Sequence, residues 1–140
     1  ALNKSFILAQ LNGFQKTKTK IPTFHNTSNI IFPSKLALEQ CSSEQTAIYK
    51  ANLVEGQTLV DLTGGFGVDA FCFAKTFNQV TYVEQNHELT KVVAQNFSAL
   101  KLKNVKIINE TAESFIEENT QKFDVAYIDP SRRKKRERVC

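Results

Sequence analysis

Three short stretches carry the side chains able to do chemistry. Asp61-Leu62-Thr63-Gly64-Gly65-Phe66-Gly67 sets an acid before three glycines, Glu84 follows, and Asp129-Pro130-Ser131-Arg132 lies near the end of the sequence. Glycines let a backbone approach a ligand with no Cβ in the way. An acid ahead of them suits a cationic amino group, and Glu84 suits the paired hydroxyls of a ribose. An acid-proline turn points a carboxylate and backbone carbonyls at a substrate, with Arg132 or Arg133 to engage a phosphate or the target group.

Such residues act together only if the chain brings them to one edge. Residues 58–62, 79–84, 105–109 and 123–128 are short, β-branched or aromatic runs that read as strands. Between them, 68–77, 87–101 and 112–119 read as helices; Leu89, Val92, Val93, Phe97 and Leu100 stack on one face of the second. Alternation of this kind, with crossovers long enough for parallel pairing, predicts a doubly wound, Rossmann-like α/β sheet. Ligands of such sheets bind at the carboxyl ends of the strands, near the reversal of strand order. The glycine-rich turn and Glu84 both fall there, and the helix after the turn offers unpaired N–H groups to a carboxylate or phosphate.

Upstream, residues 2–12 predict a helix stopped by Gly13, residues 14–33 an extended connector punctuated by Pro22 and Pro33, and residues 43–53 a helix opened by a Ser42/Gln45 capping box. The expected division is therefore a helical extension and connector over 1–55 and a ligand-binding domain over 56–140.

Two ligands compete for the loop. Gly65-Phe66-Gly67-Val68-Asp69-Ala70 satisfies the dinucleotide pattern G-x-G-x-x-A. S-adenosylmethionine (SAM) has the α-amino group that Asp61 can meet, and a dinucleotide's pyrophosphate does not. Asp129-Pro130 also serves a methyl acceptor beside its donor, whereas a dinucleotide enzyme has no need of it. SAM is the better match.

The three motifs, in this order, resemble motifs I, II and IV of the class I SAM-dependent methyltransferases. More narrowly, Leu38 to Lys50, the stretch 61–69 and Tyr127 to Arg133 resemble a Bacteroidetes family of methyltransferases with THUMP-like domains. The likeness runs from about residue 14 to 133. It implies that Asp61 lies near the methionine part of SAM and that Gly64, Gly65 and Gly67 form the loop beneath it, with Thr63 where many relatives carry the first glycine. It implies that Glu84 binds the ribose and that Thr111-Ala112 stand at the adenine-contacting motif. There Thr111 departs from the usual acid, and Glu110 is the candidate replacement. Asp129 and Pro130 match the catalytic motif, and Ser131-Arg132 bring it closer to the acid-Pro-Pro-Arg of uracil-C5 RNA methyltransferases. Ser42, Gln45 and Thr46 lie in a segment this superfamily often sets against the methionine end of SAM, although capping and surface polarity account for them more simply.

The resemblance implies a sheet of seven strands, of which this sequence supplies four. The expectation is a sheet truncated after its fourth strand, whose exposed edge invites a homodimer, and little SAM binding or methyl transfer by these 140 residues alone. The activity implied is methylation of RNA, a tRNA or rRNA base. A protein or small-molecule acceptor, or a non-catalytic or NAD-type nucleotide-binding module, are the alternatives.

Composition narrows the setting. Hydrophobic residues at 41% suit a globular core, and no window approaches the ~18 apolar residues of a membrane span. Three cysteines, an odd number without metal-ligand spacing, suit a reducing compartment and hence the cytoplasm, with no metal expected and Cys72 a core residue; the resemblance implies a bacterial source. The net charge of +4 is concentrated in Arg132 to Arg138, a cluster that fits either RNA or a solvated loop. Tyr82, Phe66, Phe71 and Phe73 sit within strand and helix patterns and read as core rather than base-stacking residues. His25 and His87 are isolated.

Overall fold

Alternation of side chains along the strands decides how the layers assemble. The computed structural model describes residues 3–130. Strands β1 (Thr58–Asp61), β2 (Gln79–Val83), β3 (Val105–Ile108) and β4 (Val125–Tyr127) form one sheet in the order β3-β2-β1-β4. Every pairing is parallel, with Leu59 opposite Val80 and Val125, and Val80 opposite Val105. Successive residues of a strand face opposite sides. Leu59, Val80 and Tyr82 accordingly join the larger core, while Val60, Leu62 and Val83 form a second cluster with Ile108, Phe115 and Phe123 on the other face. The α/β, doubly wound class expected from sequence is the one observed.

The helices are α1 (Lys4–Lys20), α2 (Pro22–His25), α3 (Lys35–Gln40), α4 (Glu44–Ala51), α5 (Val68–Phe73), α6 (His87–Ala99) and α7 (Ala112–Glu118). Val93 and Phe97 of α6 and most of α5 enter the larger core, and Phe115 of α7 packs into the smaller one. Phe66, Phe71, Phe73 and Tyr82 are all buried, as core residues should be.

The N-terminal third departs from expectation. Helix α1 does not stop at Gly13 but continues to Lys20, and Pro22 opens α2 inside the segment expected to be a connector. Gly13 is a point of close approach: a Cβ there would lie 2.3 Å from the Cβ of Phe32. Two amide side chains then hold the following segment. Gln10 exchanges both hydrogen bonds with the backbone of Phe32 (2.9 and 2.8 Å), and buried Asn96 does the same with Ile31 (2.8 and 2.7 Å). Each clamp satisfies a backbone N–H and C=O as a neighbouring strand would. Ile21, Phe24, Phe32 and Leu38 thereby share one core with the sheet.

Strand order reverses between β1 and β4: β2 and β3 extend to one side of β1, β4 to the other. The crevice created at their carboxyl ends is walled in part by residues of α3 and by Thr46 and Lys50 of α4.

Candidate active site

At the end of β1 the chain must turn sharply into α5, and each glycine answers a different constraint. A Cβ on Gly64 would lie 2.4 Å from the Tyr82 ring, and one on Gly67 2.8 Å from Phe97. Those two glycines make room for core aromatics. Gly65 shares a positive φ (+58°) with Gly67 (+90°) but differs in its surroundings: a Cβ there would meet nothing nearer than 3.7 Å. It is the glycine whose own side faces open space. The Tyr82 hydroxyl donates to the Gly65 carbonyl at 2.5 Å and fixes the loop from below.

Glu84, just past β2, accepts one backbone N–H on each carboxylate oxygen, from Gly65 (2.9 Å) and Asn86 (2.8 Å). Each oxygen retains lone-pair capacity for a ligand hydroxyl. Asp61 is buried beneath the loop. Its Oδ1 accepts the Thr63 N–H at 3.0 Å, while Oδ2 is buried with no partner among the described residues. Burial pushes its carboxyl up to about 7, against the lowering effect of the Thr63 hydrogen bonds. Thr63 bridges two strand ends, because its hydroxyl also accepts the Asp129 N–H at 2.8 Å.

A cavity of about 590 Å³ opens over this loop. Thr63, Gly64, Gly65, Gly67, Glu84, Ala112, Asp129 and Pro130 line it, as do Ser42, Cys41 and Asp69. Of the residues singled out in the sequence, Asp61 lies behind this wall. Thr111 is the N-cap of α7, accepting the Ser114 N–H at 3.0 Å, and is not among the lining residues. Arg132, with Ser131, Arg133 and the rest of the basic tail, lies outside the described residues.

A second cavity, of about 790 Å³, adjoins the first and shares Ser42, Cys41, Asp129 and Pro130 with it. Leu36 and Gln40 also line both, and Glu39, Thr46, Lys50, Tyr127 and Ile128 complete the walls of the second. Here the structure brings in residues for which sequence reasoning had assigned no role. Lys50 Nζ donates to Ser42 Oγ (2.9 Å), Tyr127 Oη (2.8 Å) and Asp129 Oδ2 (3.2 Å), and lies 3.5 Å from Asp69 Oδ1. Ser42 can join this cluster because helix α4 is capped one residue later than expected, by Ser43, which accepts the Thr46 N–H. Gln45 belongs to neither cavity. The Lys50–Asp129 spacing of 79 residues has no local signal that could have joined them.

Among the described residues, burial raises the thiols of Cys41 and Cys72 to about 11, which disfavours the nucleophilic thiolate. His25 stacks on Phe14, and His87 meets Asn109 at the start of α6. Among the described residues no group of three His, Cys, Asp or Glu is placed to hold a metal, and no helix is long and apolar enough to cross a membrane.

The same chain can be compared with known proteins. Over 129 residues it is 27% identical to an uncharacterized RNA methyltransferase of Mycoplasma mobile, covering 89% of this chain and 35% of that protein. Over 87 residues it is 28% identical to the ribosomal RNA small subunit methyltransferase J of Hydrogenovibrio crunogenus, covering 54% of this chain and 32% of the relative. Among solved structures, a Porphyromonas gingivalis protein provisionally described as a methyltransferase superposes with a TM-score of 0.83 at 30% identity, over 93% of this chain and 33% of the other. The chain thus spans about a third of the length of the relatives it matches. Residues 42–138, which hold the glycine loop, Glu84 and Asp129, match the family model described as conserved hypothetical protein 95, and the chain belongs to that family.

Proposed function

We propose that this chain carries the cofactor-binding core of a SAM-dependent methyltransferase acting on RNA. The observation that carries the reading is the first cavity: Glu84 with acceptor capacity on both oxygens, facing a loop in which half-buried Gly65 leaves room for a ligand. The residues fit SAM. Glu84 would hold the ribose hydroxyls, Ala112 would flank the adenine, and Asp61, with one unpartnered oxygen, supplies negative charge beneath the loop toward the methionine amino group. When bound, SAM supplies an electrophilic methyl group.

Methyl transfer is an in-line displacement, so the protein's task is alignment of donor and acceptor. Asp129 lines both cavities and thus stands between a cofactor in the first and an acceptor in the second. Its carboxylate would orient the acceptor nucleophile or take its proton, with Arg132 engaging a phosphate. Two relatives named as RNA methyltransferases support RNA, a tRNA or rRNA base, as the acceptor. In this reading residues 1–55 form a helical wall and residues 56–140 the SAM-binding domain. The narrower assignment to the THUMP-like Bacteroidetes methyltransferases, action in the cytoplasm and homodimerisation along the β4 edge belong to the same proposal.

Calorimetry on the full-length protein with SAM, S-adenosylhomocysteine and NAD is the direct test, with Asp61→Ala and Glu84→Ala as controls. Binding of SAM or its product, weakened by both substitutions, is expected. NAD binding in its place, or no binding at all, overturns the assignment. Asp129→Ala should lower methyl transfer to RNA by about 100–10,000-fold, leaving a measurable residual rate; full retained activity would remove Asp129 from the mechanism.

A further inference from the structure

We propose that Lys50 is a positioning residue that sets the orientation of Asp129, and that Asp69 and Tyr127 hold Lys50 in place to do so. This inference rests on the methyltransferase reading of the site. Asp129 lies just beyond β4, and its side chain is 53% exposed. A carboxylate at the end of a strand, half in solvent, has several rotamers open to it. The Thr63 hydroxyl fixes only its backbone N–H. Its side chain is held at one oxygen, Oδ2, by Lys50 Nζ at 3.2 Å; the Tyr127 hydroxyl lies 3.2 Å from the same oxygen, but its one proton serves either Asp129 or Asp69.

The directions of the hydrogen bonds make the arrangement consistent. An ammonium has three donors and no acceptor. Lys50 spends all three, on Ser42 Oγ, Tyr127 Oη and Asp129 Oδ2. The Ser42 and Tyr127 hydroxyls, having accepted from Lys50, can both donate to Asp69 Oδ2, at 3.2 and 3.0 Å. Burial and the neighbouring Asp69 charge push the Tyr127 hydroxyl up, so it stays protonated and able to donate. Asp69 is only 14% exposed and anchors the assembly from the first turn of α5. Among the described residues, Asp129 Oδ1 accepts no hydrogen bond. It is the oxygen left to an acceptor in the second cavity, and the clamp on Oδ2 decides where it points.

A lysine that merely stabilised the fold would affect cofactor binding and turnover alike, independently of Asp129. One that acts through Asp129 affects turnover only while Asp129 is present. The experiment measures methyl transfer from SAM to an unmodified small-subunit rRNA transcript, and S-adenosylhomocysteine affinity, for the full-length wild type, Lys50→Met, Lys50→Arg, Tyr127→Phe, Asp129→Ala and Lys50→Met/Asp129→Ala. Lys50→Met should lower kcat by about 10–100-fold, the scale of a misaligned reacting group, with product affinity within about twofold. Tyr127→Phe should show a smaller loss of the same kind, and Lys50→Arg should recover part of the kcat. In the Asp129→Ala background, Lys50→Met should cost less than about twofold, the non-additivity expected of residues acting as a unit. Wild-type kcat in Lys50→Met, or full additivity with Asp129→Ala, overturns the inference alone. A wild-type protein that binds no S-adenosylhomocysteine overturns the methyltransferase reading, and this inference with it.

Discussion

Asp61 is a carboxyl group placed where ionisation is costly. Its value of about 7 in the folded chain exceeds that of an exposed aspartate because burial disfavours the charged form. The raised value fixes the sign of the pH effect: between about pH 4 and pH 7 the folded state holds a proton that the unfolded state has lost. The contribution to stability is full at low pH and is lost as pH rises through about 7. Asp61→Asn removes this titration, so its stability relative to wild type should improve by about 2 kcal/mol between pH 5 and pH 8. Chemical denaturation at the two pH values checks this, and an unchanged gap would mean that Asp61 titrates like an exposed acid. The glycines separate by the same local logic. Gly65→Ala meets only the penalty of a left-handed φ, about 1–2 kcal/mol. Gly64→Ala drives a methyl group into the Tyr82 ring at 2.4 Å and should cost more than Gly65→Ala in denaturation midpoint. The glycine motif was legible in the sequence, but its division of labour was not. Whether a glycine faces a ligand or a phenyl ring depends on which distant side chain lies opposite.

At the scale of elements, the strands and the helices after residue 58 agree with the sequence pattern to within a few residues, because apolar period and strand length there are set locally. Helix α1 shows where that logic fails. Glycine ends many helices because it adopts a left-handed conformation readily, yet Gly13 stays helical and admits Phe32 from 19 residues away. Gly13→Ala improves local helix propensity by about 1 kcal/mol but forces Phe32 out of contact. The net effect should be destabilising, by about 1–3 kcal/mol in urea; a stabilised variant would show that the Phe32 contact is dispensable. Asn96→Leu tests the clamp between α6 and the 29–32 segment. It leaves the Ile31 N–H and C=O without partners and should cost about 2–4 kcal/mol, read by the same denaturation, whereas a neutral outcome would show that water replaces the clamp. Neither amide clamp was visible beforehand, since asparagine and glutamine at these positions carry no mark of a partner 65 or 22 residues away.

For the whole molecule, the two cavities along one sheet edge predict that ligand binding and stability are linked. S-adenosylhomocysteine at about 100 times its dissociation constant should add roughly 2.7 kcal/mol to the unfolding free energy of the full-length protein. A melting temperature that does not move at saturating product would argue against a cofactor site at the switch point. The sequence by itself determined the alternation of strands and helices, hence a parallel sheet, and with it the edge at which Asp61, the glycine loop, Glu84 and Asp129 must gather. Those are consequences of local periodicity and of the handedness of crossovers, which act over short stretches of chain. Only the tertiary structure decided that Asp61 lies behind the cavity wall, that Thr111 caps a helix instead of lining the cavity, and that Lys50 reaches Asp129. The Thr111 cap is a local bond to Ser114, but which residues line the cavity, and that Lys50 meets Asp129 from 79 residues away, depend on segments far apart in sequence; burial and hydrogen-bond direction at such contacts are properties of the packed chain alone.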